Sequence, residues 1–204
     1  MKIICIANNY AQHAKEINHE VPDKPVFFLK PDSAILRNNN PFFMPGFSNE
    51  IHHEVELVLK INRLGKGIQE KFAHRYYNEI GIGIDFTAID LQRNCKEKGL
   101  PWEIAKAFDS SAAIGVKFID KTNLPDINNI NFHLDVNGSM VQYGCSADMH
   151  FKFDELIAYT SNFMTLRTGD LIYTGTPPEV STIKHGDRLK AYLENELLLD
   201  FLIK

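Results

Sequence analysis

Short apolar runs separated by turn-forming residues dominate the chain, and helical periodicity interrupts them in a few places. Lys2 to Ile6 and Val26 to Leu29 read as buried strands, the second stopped by Lys30-Pro31. Residues 37 to 50 hold Asn38-Asn39-Asn40-Pro41 and Pro45-Gly46 and predict a turn-rich connection. From Val55 the chain turns β-branched and apolar again, a strand heading into a core. Asn62 to Gly67 predicts a turn and Gln69 to Tyr77 a short helix. In Ile80 to Phe86, three isoleucines line one face while Gly81, Gly83 and Asp85 line the other. Asn131 to Tyr143 reads as a hairpin around Asn137-Gly138, a type I′ signal. Leu156, Ile157, Tyr159, Thr160 and Phe163 have helical spacing within Phe153 to Met164. A turn and strand through Gly169 to Thr174 and a closing hairpin over 188–193 and 197–203 complete the pattern.

Two helices carry local signals. Asn9 is a plausible cap for a helix from Tyr10 to His19. Thr87-Ala88-Ile89-Asp90 has the form of a capping box, with a helix running to Lys98 and Gly99 as its stop. Leu100-Pro101-Trp102 then opens a further helical turn carrying Lys106.

The chemistry concentrates at Ile51-His52-His53-Glu54-Val55-Glu56. Alternate strand positions share a face, so Glu54 and Glu56 point together and Val55 points oppositely. Burying such a pair without compensation costs several kcal/mol per carboxylate, order-of-magnitude. A hard divalent cation resolves the conflict: Mg²⁺ or Mn²⁺, or Ca²⁺ in a larger cage. A solvated edge strand resolves it equally well. Asp85 ends a face bared by glycine, where a ligand or another backbone can approach, and so offers a third carboxylate; it also suits a turn. His13 and Glu16 share a helix face, which suits either an oriented general base or a wet surface. Lys106 lies among Ala105, Ala107 and Phe108, and either snorkels to water or aims a cation into a site. Thr174 and Thr176 flank Gly175, where their hydroxyls could bind an anion or shape a turn.

At 204 residues and 44% hydrophobic, one domain spanning 1–204 is the simplest organisation. With 22 basic against 26 acidic residues, net −4, no block of charge suggests nucleic acid or an anionic membrane as partner. Cys5, Cys95 and Cys145 form neither a metal pattern nor a disulfide framework, and the N-terminal apolar run is short for a signal peptide. The expectation is a soluble, cytoplasmic protein.

Seven short motifs then combine. They are Asn9 to Glu16; Phe28-Leu29-Lys30-Pro31; His53 to Leu57; Gly83 to Ala88; Lys98 to Trp102; Lys106 to Asp109; and Gly169-Asp170 with Tyr173 to Pro177. In this order, over nearly the whole chain, they resemble the fumarylacetoacetate hydrolase family, most of all its small single-domain branch of acylpyruvate hydrolases and oxaloacetate decarboxylases. The resemblance implies an α+β, β-rich fold, a mixed β-sheet roll or sandwich, and a homodimer. It implies Mg²⁺ or Mn²⁺ on Glu54, Glu56 and Asp85, a His13–Glu16 catalytic dyad, and Lys106 as active-site lysine. Lys30, Gln92 and Thr176 match positions that line the substrate pocket.

The chain departs from the family pattern at Ile89, where relatives commonly carry arginine, at Ala7-Asn8 in place of Gly-Arg, and at Glu179 in place of glycine. The implied activity is C–C cleavage in a 2-oxo acid through an enolate: acylpyruvate hydrolysis, with water activated by His13, or oxaloacetate decarboxylation. Isomerisation or decarboxylation of hydroxy-diene-dioates, and non-catalytic binding of metal and a dicarboxylate, are the competing readings.

Overall fold

The computed structural model of the chain describes residues 1–12 and 22–204. Strands β1 (Ile3–Ala7), β2 (Val26–Lys30) and β3 (Ile35–Leu36) open the fold, followed by β4 (Ile51–His53), β5 (Val55–Ile61), β6 (Tyr77–Asp85) and β7 (Thr87–Ala88). After them come β8 (Ala112–Ile114), β9 (Ile119–Asp120), β10 (Asn131–Val136), β11 (Ser139–Cys145), β12 (Leu171–Tyr173), β13 (Ser181–Thr182), β14 (Arg188–Leu193) and β15 (Glu196–Leu202). The longest described helices are Ile89–Lys98 and Phe153–Phe163.

The architecture is the expected strand-rich α+β fold. An eight-stranded sheet runs β2-β1-β12-β5-β6-β8-β3, with β9 on β6; β11-β10-β14-β15 form a second sheet, and β13-β4-β7 a small third one. Pairing is mixed: β1 with β12 and β3 with β8 are parallel, whereas β5 with β6 is antiparallel. The second sheet packs on the first through β10 against β5 and through β14 and β15 against β6. Val55, Leu57, Leu59, Ile80, Ile82 and Ile84 meet Phe132, Leu134, Leu189, Ala191 and Phe201 in that layer, all buried. The opposite face of the large sheet carries a smaller apolar cluster of Ile3, Cys5, Val58, Ala112 and Tyr173. Glu56 continues that second face, two residues before Val58.

Several local expectations change on folding. Thr87 sits in β7, and no side chain caps Ile89–Lys98. Asp90 instead accepts from Ser48 Oγ (2.6 Å) and the Asn49 amide (3.0 Å), fastening the 37–50 connection to the helix. Helix Glu70–Ala73 is shorter than predicted because Tyr77 is drawn into β6. Tyr10 bridges to Met149, and helical geometry starts at Ala11. Asn9 spans the junction, its amide bonding Phe151 and Thr174. The rest of that predicted helix lies outside the described residues. The glycine face of β6 is not bare: a Cβ at Gly83 would stand 2.5 Å from the Tyr173 ring, and one at Gly81 2.8 Å from Phe118. Aromatic rings fill it, and only its end at Asp85 is open to a cavity.

Candidate active site

The β5–β6 register assembles the acidic group. Glu56 pairs with Gly83, and the Asp85 amide donates to the Glu54 carbonyl (2.8 Å), so Glu54 and Asp85 stand side by side with Glu56 one step along. Carboxylate oxygens of Glu54, Glu56 and Asp85 lie within 4.8 Å of one another. Glu56 and Asp85 are 1% exposed. Such oxygens, drawn from two adjacent strands, could hold a hard divalent cation.

Each carboxylate has its own support. Glu54 accepts from Thr87 Oγ1 (2.6 Å) and from Lys106 Nζ (2.8 Å), and Lys106 also donates to Asp85 Oδ2 (3.0 Å). Glu56 accepts from the Gly175 amide at 2.6 Å. That amide is presented by a backbone at φ +99°, where a Cβ would also stand 2.7 Å from Asn9, so glycine is needed there. On the far side of Asp85, Lys30 Nζ lies 2.7 Å from Oδ1, an ion-pair distance without hydrogen-bond geometry, and donates instead to the Ser111 and Phe86 carbonyls.

Two ammonium groups thus face three carboxyl groups, which leaves one negative charge over when all three are ionised. Burial, then the charges of Asp85 and Glu54, hold the Glu56 carboxyl well above its ordinary range. Burial alone would depress Lys106; Asp85 and Glu54 outweigh it, and its ammonium sits above the usual lysine range. Lys106 therefore stays charged and inside rather than snorkelling, its Nζ 5.2 Å from the Phe28 ring centre.

A cavity of about 470 Å³ opens over this group. Its walls include Asn8, Phe28, His52, Gln92, Trp102 and Thr176, together with Ile89, Arg93 and Lys96 of the helix. Gln92 and Thr176 border the cavity, and Lys30, paired with Asp85, is not among the residues that line it. The Thr176 hydroxyl donates to the Val55 carbonyl (2.9 Å) and accepts from Gln142 (3.1 Å), and Thr174 donates to the Leu57 carbonyl. These hydroxyls hold the turn against β5. His13 and Glu16 lie outside the described residues.

Sequence reasoning missed Thr87, the Gly175 amide, and the pair Arg93 and Lys96. Only the last pair had a readable signal. Positions 89, 92, 93 and 96 share one helix face, and 92 had already been assigned to the pocket.

Residues 2–197 match the family described as "Fumarylacetoacetate (FAA) hydrolase C-terminal". The chain belongs to the fumarylacetoacetate hydrolase family. "Oxaloacetate tautomerase FAHD1, mitochondrial" of Mus musculus is 39% identical over 202 residues, covering 99% of this chain and 91% of the relative. "Oxaloacetate decarboxylase, mitochondrial" of Dictyostelium discoideum is 39% identical over 207 residues, covering 100% and 94%. Among solved structures, a fumarylpyruvate hydrolase from Pseudomonas aeruginosa in complex with Mn²⁺ and pyruvate superposes with a TM-score of 0.92 at 31% identity, covering 100% of this chain and 90% of that one.

Proposed function

We propose that this protein is a divalent-metal-dependent enzyme that forms an enolate from a small 2-oxo dicarboxylate, with oxaloacetate decarboxylation as the leading reaction. The observation that carries the reading is the acidic triad bridged by the buried Lys106 ammonium at the floor of the cavity. The donor set fits a hard ion: all oxygen, closely spaced, with one negative charge left over after Lys30 and Lys106. Glu54, Glu56 and Asp85 would hold Mg²⁺ or Mn²⁺, and the ion would supply Lewis-acid polarisation of the 2-oxo group. Mn²⁺ in the Pseudomonas aeruginosa relative supports this choice.

The chain's own groups supply the rest. Lys106, fixed by two carboxylates, presents positive charge where the enolate oxygen develops, an effect often worth a few kcal/mol. Phe28 and Trp102 wall the cavity and limit water around the developing enolate. As the C–C bond breaks, its electron pair moves into the 2-oxo group and carbon dioxide leaves; the terminal carbon of the enolate then takes a proton from water to give pyruvate. Lys30 works behind the site as the counter-charge of Asp85 rather than on substrate.

A second reading, hydrolysis of an acylpyruvate, is favoured by the pyruvate-bound fumarylpyruvate hydrolase. There His13, oriented by Glu16, would take a proton from water attacking the distal carbonyl. We place the whole of 1–204 in one catalytic unit, acting as a homodimer. We keep a cytoplasmic site for it, although the mammalian relatives are named mitochondrial.

The test is turnover of oxaloacetate, acylpyruvates and hydroxy-diene-dioates by chelator-treated protein, with and without added Mg²⁺ or Mn²⁺. Metal-dependent loss of oxaloacetate with pyruvate formed is the expected result. Equal activity in chelator would remove the ion from the mechanism, and binding without turnover of any substrate would remove the enzyme.

A further inference from the structure

The helix Ile89–Lys98 presents a graded wall to the cavity. Ile89 is apolar, and Gln92, one turn on, offers an amide. Arg93 is occupied at the rim: its guanidinium grips Glu50 through two bonds of 2.8 and 3.2 Å, and Glu50 also contacts His52 Nε2 at 3.0 Å. Lys96 completes this face. Its Nζ lies 5.5 Å from the Trp102 ring centre, and among the described residues no carboxylate pairs with it. Trp102 meets Phe28 edge-on, and Phe28 in turn lies beneath Lys106. An aromatic pair therefore joins the lysine of the cavity wall to the lysine of its floor.

Among the described residues, a ligand whose 2-oxo acid end sits at the triad finds one cation on this wall that carboxylates have not neutralised. We propose that Lys96, steadied on Trp102, receives the second carboxylate of the substrate and so selects small 2-oxo dicarboxylates over 2-oxo monocarboxylates. This rests on the 2-oxo acid reading of the site above. Stacking on the indole limits the freedom of a flexible side chain without satisfying its charge, which leaves the ammonium available to an anion. Burial against the protein, and then repulsion by Lys106, hold Lys96 below the ordinary lysine range, so an arriving carboxylate also relieves a strained charge. The apolar Ile89, two turns back on the same face, gives the dicarboxylate no competing cation there.

The test compares wild type, Lys96→Met and Lys96→Arg, all loaded with Mn²⁺. Affinities are measured by calorimetry for 2-oxoglutarate and 2-oxoadipate as dianions, and for pyruvate and 2-oxobutyrate as monoanions. A charge-assisted contact of this kind predicts a loss of roughly 10- to 100-fold for a dianion in Lys96→Met, monoanions unchanged within about twofold, and recovery in Lys96→Arg. Equal losses for both ligand classes, or an unaffected dianion, would overturn the role of Lys96 while leaving the 2-oxo acid site standing. Wild-type protein that binds none of the four ligands would overturn both.

Discussion

Replacing Lys30 with methionine tests the charge arrangement most directly. Methionine keeps the length and much of the volume of the lysine stem but removes the ammonium 2.7 Å from Asp85. The Lys30 and Asp85 side chains are 0% and 1% exposed, so water cannot take over. Breaking a buried pair by deleting one partner typically costs about 3–5 kcal/mol. For a chain of this size that is roughly 6–20 °C in melting temperature, taking about 2–4 °C per kcal/mol. The Ser111 carbonyl still accepts from the Phe86 amide at 2.8 Å, so the loss comes chiefly from the uncompensated carboxylate. In the variant, Lys106 alone faces three carboxylates, and a divalent cation should bind with greater electrostatic gain. Melting followed in chelator and then in Mn²⁺ should show a large drop in the first condition and a Mn²⁺ shift exceeding that of wild type in the second. A chelator melting point within about 2 °C of wild type would refute the counter-charge argument. A rise in KM with no change in that melting point would return Lys30 to the substrate pocket.

Three further outcomes follow from the same geometry. Glu56→Gln preserves an acceptor for the Gly175 amide but removes a charge that burial disfavours, so the metal-free protein should gain thermal stability while Mn²⁺ affinity by calorimetry falls more than about 100-fold, beyond the usual loss for an outer-shell change. Unchanged Mn²⁺ affinity would take Glu56 out of the ligand set. His13→Ala should lose hydrolysis of acylpyruvates while retaining Mn²⁺ affinity, and undiminished hydrolysis would exclude the dyad. Asp154 is held above its ordinary carboxyl value of 3.8, first by burial. A raised folded value means its contribution to stability is full at low pH and is lost as pH rises through that value. Asp154→Asn should therefore gain in melting temperature over wild type more at pH 7 than at pH 4, in chelator, and an equal difference at both would reject the linkage.

What the sequence disclosed and what it hid divide along contact distance. Strand alternation put Glu54 and Glu56 on one face, because the period of two is a property of the strand alone. The hairpin at Asn137-Gly138 was equally local, with φ of +54° and +84° at its two turn residues. Asp85 was legible as the end of a glycine face, but the occupants of that face were not. Tyr173 lies 90 residues from Gly83 in the chain and reaches it through a strand order that no nearby residue encodes. Thr87-x-x-Asp90 misled for a related reason: Thr87 lies in β7 and donates to Glu54, while Asp90 accepts from Ser48 and Asn49 as well as from the Leu91 amide. Lys30 was recognisable by resemblance, yet whether its head met substrate or Asp85 depended on how β2 and β6 lie within the folded sheet.

The cost of the ionic cluster is itself evidence for its purpose. Glu56, Asp85, Lys30 and Lys106 are almost wholly withdrawn from water on a sheet face whose neighbours, Cys5, Val58 and Tyr173, are otherwise apolar. A buried ionic group of this kind is commonly no more stable than well-packed hydrophobic residues, and often less so. Packing alone would have been served by continuing the apolar pattern of Val58 and Tyr173 to the end of β6. The ammonium groups soften the repulsion without cancelling it, for with all three carboxyl groups ionised one negative charge is left over at the cavity floor. A divalent ion would turn that remainder into a net positive charge, the sign that suits an anionic substrate and a developing enolate. A cluster left one charge short of neutrality, open to a cavity on one side and sealed by Tyr173 on the other, fits a site built to be completed by a cation.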